Sequence, residues 1–218
     1  MGFFITFEGV EGCGKTTQIK ILAETLKSQG YSVRLTREPG GSPVADKIRN
    51  ILLDAENSAI TPTTELLLYA ASRAQHVAEV INPALERGKI VLCDRYTDAT
   101  LAYQGFGRSL NMESINALNK MATKGCFPDL TVLLDCAPET GLKRAMDRIN
   151  SESKADSSSL REERFELESL EFHKRVREGY LKLAETEPKR FLVFNGIDTV
   201  SEIAAAIKNS VLLRLAER

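Results

Sequence analysis

The chain is predicted to fold as an α/β domain, a five-stranded parallel sheet with helices on both faces, and three observations carry that prediction. Five apolar runs of strand length recur along its 218 residues. Segments with helical periodicity separate them, the alternation that joins parallel strands through crossover helices. Between the first run and the first helix lies a glycine-rich stretch, which suits a tight strand-to-helix turn.

"FFITF" (3–7) supplies the first strand. In the segment after it, Ile19, Leu22, Ala23 and Leu26 recur at i, i+3, i+4 and i+7, and Gly30 ends the helix. "YSVRL" (31–35) is the second strand, and "TELLLYAASRAQHVAEV" (64–80) reads as a helix leading to the third, "KIVLC" (89–93). "LTVLL" (130–134) is the fourth, with a helix starting near Glu139. A further helical pattern places Phe165, Phe172, Val176, Tyr180 and Leu183 on a common face before the last strand, "RFLVF" (190–194). No internal repeat is visible, and residues 1–218 read as a single domain. One segment breaks the pattern: "NSESKADSSSLREER" (150–164), rich in serine and charge, reads either as a plain surface loop or as an arginine-bearing mobile lid over phosphates.

A net charge of −1, with 43% apolar and 27% charged residues, gives no general attraction for nucleic acid or anionic membrane. A small ligand held by locally placed cations is expected. Cys13, Cys93, Cys126 and Cys136 form no C-x-x-C pair, which argues against a zinc cluster and a secreted disulfide framework and suits the cytoplasm. No run approaches the roughly 18 apolar residues of a membrane-spanning helix.

The glycine-rich stretch is "GVEGCGKTT" (9–17), in which Gly9, Gly14, Lys15 and Thr16 complete the pattern G-x-x-x-x-G-K-[ST]. Its glycines let backbone N–H groups wrap phosphates, Lys15 adds a positive charge, and Thr16 can ligate magnesium. "VLCDRY" (91–96) sets Asp94 just past a buried strand, at the sheet edge beside the phosphate loop, where it can orient the metal. Arg95 can then clamp a transferring phosphoryl group. Tyr69 and Arg73 are four residues apart on one helix face, which suits either a ring and guanidinium that stack on a base and bond its edge or a core tyrosine beside a surface arginine; Thr100 and Gln104 repeat the spacing and the choice. Arg37 and Glu38 in "TREPGG" (36–41) end a strand at a ligand-facing loop, and Arg49 follows as a possible phosphate contact. His76 and His173 have no partner at metal or catalytic spacing and read as ordinary helix residues.

Together, "FEGVEGCGKTTQ", "REPGG", "DRYTDATLAYQG" and "RFELESLEFHKRVREGYL" resemble the bacterial-type thymidylate kinases, P-loop nucleoside monophosphate kinases of Rossmann-like three-layer architecture, in order from Phe7 to about Leu183. The resemblance implies transfer of the γ-phosphoryl of ATP to dTMP with Mg2+, giving dTDP and ADP, by a cytoplasmic homodimer with a lid at residues 148–164. It gives Gly9, Val10, Glu11, Gly12, Cys13, Gly14, Lys15, Thr16 and Thr17 to ATP, and Thr16 and Asp94 to the metal. Glu38, Arg49, Tyr69, Arg73, Arg95, Thr100 and Gln104 would form the dTMP site. Lys15, Arg95 and the lid arginines Arg148, Arg161 and Arg164 would assist transfer. Glu11 inside the loop matches members whose catalytic arginine comes from the lid. Two departures stand out: Tyr69 replaces the family's usual Phe, and the lid is longer and more serine-rich, with "ERFE" where Asp-Arg-apolar-Glu is usual. "GIDT" (196–199) falls where the family contacts adenine.

Two other readings follow from the motif alone. Another P-loop kinase would act on a different monophosphate or on a deoxynucleoside, and a nucleotide switch would need an Asn-Lys-x-Asp signature, which "NKMA" (119–122) lacks.

Overall fold

The computed structural model describes residues 2–152 and 164–217. Strand β1 (Phe3–Glu8) is buried along its whole length because it lies at the centre of the sheet with layers on both faces. It pairs in parallel with β3 (Ile90–Asp94) on one side and β4 (Leu130–Asp135) on the other. Beyond them, β2 (Val33–Arg37) and β5 (Phe191–Asn195) close the order β2-β3-β1-β4-β5. All four pairings are parallel, as the alternation of strand and helix required.

The helices are α1 (Lys15–Ser28), α2 (Pro43–Leu53), α3 (Pro62–His76), α4 (Asn82–Glu86), α5 (Thr97–Thr100), α6 (Met112–Thr123), α7 (Pro138–Glu152), α8 (Leu170–Thr186) and α9 (Val200–Ala216). The apolar stripe of α1 is the expected one: Ile19, Leu22, Ala23 and Leu26 are all buried in the main core. Gly30 stops the helix at φ 88°, and the N–H of Tyr31 bonds back to the Leu26 carbonyl at 3.1 Å. That bond uses Tyr31 in the helix cap, so β2 starts at Val33, two residues later than the apolar run suggested. Phe165, expected on the face of a helix, instead precedes α8 in a turn and packs edge-on against Tyr103 at 5.6 Å. Asn150, Ser151 and Glu152 extend α7, and residues 153–163 of the expected lid lie outside the described residues.

Two helical stretches widen into π turns, Val77–Ile81 after α3 and Leu101–Gly107 after α5. The second matters for function, because a π turn redirects side chains that α spacing would send elsewhere.

Candidate active site

The carboxyl ends of β1 and β3 and the loops beyond them floor a cavity of about 660 Å3. Ligands bind at this edge in open α/β sheets. The phosphate loop runs from Gly9 to Gly14 and delivers its chain to the N-terminus of α1, where unpaired N–H groups favour an anion. Gly12, at φ 66°, has no room for a side chain, since a Cβ would meet the Gly141 carbonyl on α7. Gly141 in turn abuts the Glu11 carbonyl, so the loop and the first turn of α7 seat each other. Lys15 Nζ donates to the carbonyls of Gly9 and Val10 at 3.0 and 2.8 Å and lies 3.4 Å from Cys13 Sγ.

Thr16 Oγ1 donates to Asp94 Oδ2 at 2.8 Å, which brings together the two residues expected at the metal. Both line the cavity and both offer hard oxygen donors, the chemistry suited to magnesium shared with phosphates.

Arg95 stands next to them with its backbone at φ 66°. Its Nη2 donates to Glu11 Oε1 at 3.0 Å, its Nη1 to the Tyr180 hydroxyl at 3.2 Å, and its guanidinium lies 4.8 Å from the centre of the Tyr103 ring. Tyr103 also donates to Glu11 Oε1, at 2.5 Å. Burial alone would raise the Glu11 carboxyl, but Arg95, His173 and Lys15 outweigh it and hold it well below the usual carboxylate range. His173 is not an ordinary helix residue: it is fully buried, with Nδ1 3.1 Å from Glu11 Oε2 and Nε2 3.0 Å from the Phe165 carbonyl.

Tyr69, Arg73, Thr100 and Gln104 all line the far end of the cavity, so both i, i+4 pairs face the same space. The Thr100 hydroxyl is buried and has no hydrogen-bond partner among the described residues, leaving it available to a ligand. Gln104 Nε2 is fixed by Glu65 Oε1 at 2.8 Å. Arg73 is only 1% exposed and is held on three sides, by Glu38 Oε2 (2.8 Å), Asn119 Oδ1 (2.7 Å) and the Tyr96 carbonyl (2.9 Å). Glu38 therefore works as a brace. Its second oxygen meets His76 Nδ1 at 2.9 Å, and His76 Nε2 meets Thr36 Oγ1 at 2.6 Å. His76, like His173, has acquired partners through the fold that its sequence spacing could not reveal. Arg49 lines the cavity and donates to the Pro39 carbonyl at 3.0 Å.

The three arginines expected in a lid separate. Arg148 lines the cavity from α7. Arg164 does not: its Nη2 donates to Glu65 Oε2 at 2.7 Å and its Nε to the Leu52 carbonyl at 2.5 Å, under a shared contact of Glu65 with Arg108. Arg161 lies outside the described residues. Arg144, which the sequence did not single out, reaches the Gly196 carbonyl of the "GIDT" loop at 2.9 Å and lines the cavity near Asp198.

A site with a phosphate loop at one end, a braced arginine and an aromatic ring at the other, and a second arginine between them has the plan of a two-substrate phosphotransferase. A family model described as thymidylate kinase matches residues 7–207. The chain belongs to the thymidylate kinase family. Curated relatives called thymidylate kinase agree over the full length: that of Geotalea uraniireducens is 64% identical over 217 residues, covering 100% of both chains. Those of Geotalea daltonii and Geobacter sulfurreducens are 62% and 61% identical and cover 99% and 100% of both chains.

The family placement leaves several buried residues that sequence reasoning passed over. Glu8, Glu65, Tyr103 and Tyr180 all sit in the polar network under the cavity. Glu8 carried one usable signal, an acid ending an otherwise apolar central strand. Tyr180 carried none, because it shares an apolar helix face with Phe172 and Val176.

Proposed function

We propose that this chain transfers the γ-phosphoryl group of ATP to dTMP, giving dTDP and ADP. The observation that carries the proposal is the single cavity that joins Lys15 and the α1 N-terminus to Tyr69, Arg73, Thr100 and Gln104, with Arg95 between them. The loop from Gly9 to Thr17 takes the ATP phosphates, with Lys15 near the β and γ groups. At the other end the Tyr69 ring stacks on thymine, Arg73 bonds its edge, and Thr100 offers its free hydroxyl. Arg49 and Arg95 take the acceptor phosphate.

Thr16 and Asp94 would hold Mg2+, which supplies charge neutralisation on the ATP phosphates when bound. The acceptor oxygen is already anionic near neutrality, since the second pKa of a phosphate monoester is about 6, so no general base is needed. Arg95 and Arg148 then neutralise the charge of the phosphoryl group in flight, with Arg161 a further candidate and Arg164 an anchor of the segment that ends at it. The lid assignment to residues 148–164 rests on this division of roles. The cytoplasm is taken as the compartment, in keeping with four free cysteines. No helix among the described residues is long and apolar enough to cross a membrane. A homodimer is part of the same reading, supported by half-exposed apolar residues on two helices that pack together, Val44 and Ile51 on α2 and Leu67 on α3.

The experiment is a panel of nucleosides and nucleoside monophosphates with ATP and magnesium. Turnover of dTMP well above the other acceptors is expected; activity on thymidine with none on dTMP would overturn the proposal.

A further inference from the structure

Glu8 is fully buried at the carboxyl end of β1, and the hydrogen bonds of its carboxylate go to Tyr96 and Tyr180, not to Thr16 or Asp94. Two donors face it from different elements. The Tyr96 N–H gives Oε1 a bond of 2.7 Å, and the Tyr180 hydroxyl on α8 gives Oε2 another of 2.7 Å. Because Tyr180 donates to Glu8, its oxygen is free to accept, and the donor it accepts from is Arg95 Nη1. Tyr96 is the residue after Arg95, so Glu8 grips the arginine at both ends: its backbone directly, beside the unusual φ of 66°, and its guanidinium through one hydroxyl.

We propose that Glu8 is a positioning residue for phosphoryl transfer, setting the Arg95 guanidinium through Tyr180 and the Tyr96 N–H. The inference rests on the reading of Arg95 as the clamp on the transferring group. Glu11 and the Tyr103 ring also touch that guanidinium, but both lie on its other sides, so neither replaces the hold from Glu8.

The carboxyl group is required by the donors. A glutamine has one acceptor and one donor at this position, so one of its ends would meet a donor with a donor, at either Tyr96 or Tyr180. The acid is retained against an adverse setting: burial, then the nearby Asp98 carboxylate of α5, push its pKa up to about 7, against the opposing pull of Arg95, Tyr180 and the Tyr96 N–H. Satisfied buried acids can serve stability alone, and the test separates the two roles.

Tyr180→Phe and Glu8→Gln are made singly and again in an Arg95→Ala background, and steady-state rates are measured at about pH 8, where Glu8 is ionised. Tyr180→Phe keeps the ring and its packing, so it guards against a folding failure in the other variant. Each single change is expected to lower kcat roughly tenfold with the KM for ATP unchanged, and to have no further effect once Arg95 is gone. Equal losses in both backgrounds, or no loss in either single variant while Arg95→Ala is impaired, would overturn the inference and leave the proposed function standing. A normal kcat in Arg95→Ala would remove the clamp itself and the inference with it.

Discussion

At the scale of single residues, the site is built from charges that are buried and paired before any ligand arrives. Arg73 illustrates the consequence. Glu38, Asn119 and the Tyr96 carbonyl hold it in place, so its orientation is fixed in advance and little ordering is needed on binding. Arg73→Ala should raise the KM for dTMP at least tenfold while leaving that for ATP near its parent value, as steady-state kinetics with each substrate varied in turn would read. It should also lower stability by about 3 kcal/mol in denaturant melts, because Glu38 would stay buried without its main partner. Glu8 makes a prediction about pH. Its pKa is raised in the fold to about 7, from an ordinary glutamate's 4.5, so its contribution to stability is fully present below about 4.5 and is lost as pH rises through 7. The loss is on the order of 3 kcal/mol. Thermal melts from acid to alkaline pH should therefore fall less steeply for Glu8→Gln than for the parent.

At the scale of elements, the phosphate loop and α7 form one unit. Gly12 and Gly141 approach so closely that neither tolerates a methyl group. Gly141→Ala, on a helix that touches no phosphate through this residue, should displace Glu11 and the loop and raise the KM for ATP about tenfold, the scale of an overpacked contact. A normal KM would mean that the loop takes its shape without α7. Elements also mark how far the sequence could be read. All five strands overlap the apolar runs that predicted them: β1, β3 and β4 are buried on both faces and leave a continuous pattern, β2 and β5 are partly exposed edge strands, and β2 starts late because Tyr31 is drawn into a helix cap. The pair Tyr69–Arg73 reached the cavity because α spacing puts both on one face of α3, whereas Thr100 and Gln104 met there through the π stretch that carries Gln104, so counting four residues found that pair without its cause. Partnerships across the fold were not legible: Glu65 gathers Gln104 and Arg108 from the widened turn after α5 and Arg164 from the segment before α8, and no local pattern reports that. Tyr103 was missed for a related reason, since the π turn around it breaks the period by which a helix face is counted.

For the whole molecule, the sheet order puts β3 and β2 on one side of β1 and β4 and β5 on the other, and the cavity draws its lining from loops on both sides of the phosphate loop that follows β1. Helices α2 and α3 carry Arg49 and Tyr69, two residues proposed for the acceptor, and on the same helices Ile51 and Leu67 are half-exposed. If these faces join two copies, association would stiffen the wall that carries Arg49 and Tyr69. Sedimentation should give twice the mass of the chain, and Leu67→Glu should shift it to the single-chain value while raising the KM for dTMP. A sedimenting monomer with normal kinetics would show that one copy suffices.

The widened helical turn from Leu101 to Gly107 has a consequence of another kind. Each residue of an α-helix advances the chain by about 100°. Removing one residue from the turn would let it close into α geometry and swing Gln104 and Tyr103 away from their present directions, with no side chain exchanged. The acceptor pocket is in this respect set by phase as well as by chemistry, and a shift in chain length could rewrite it where a substitution would only trim it.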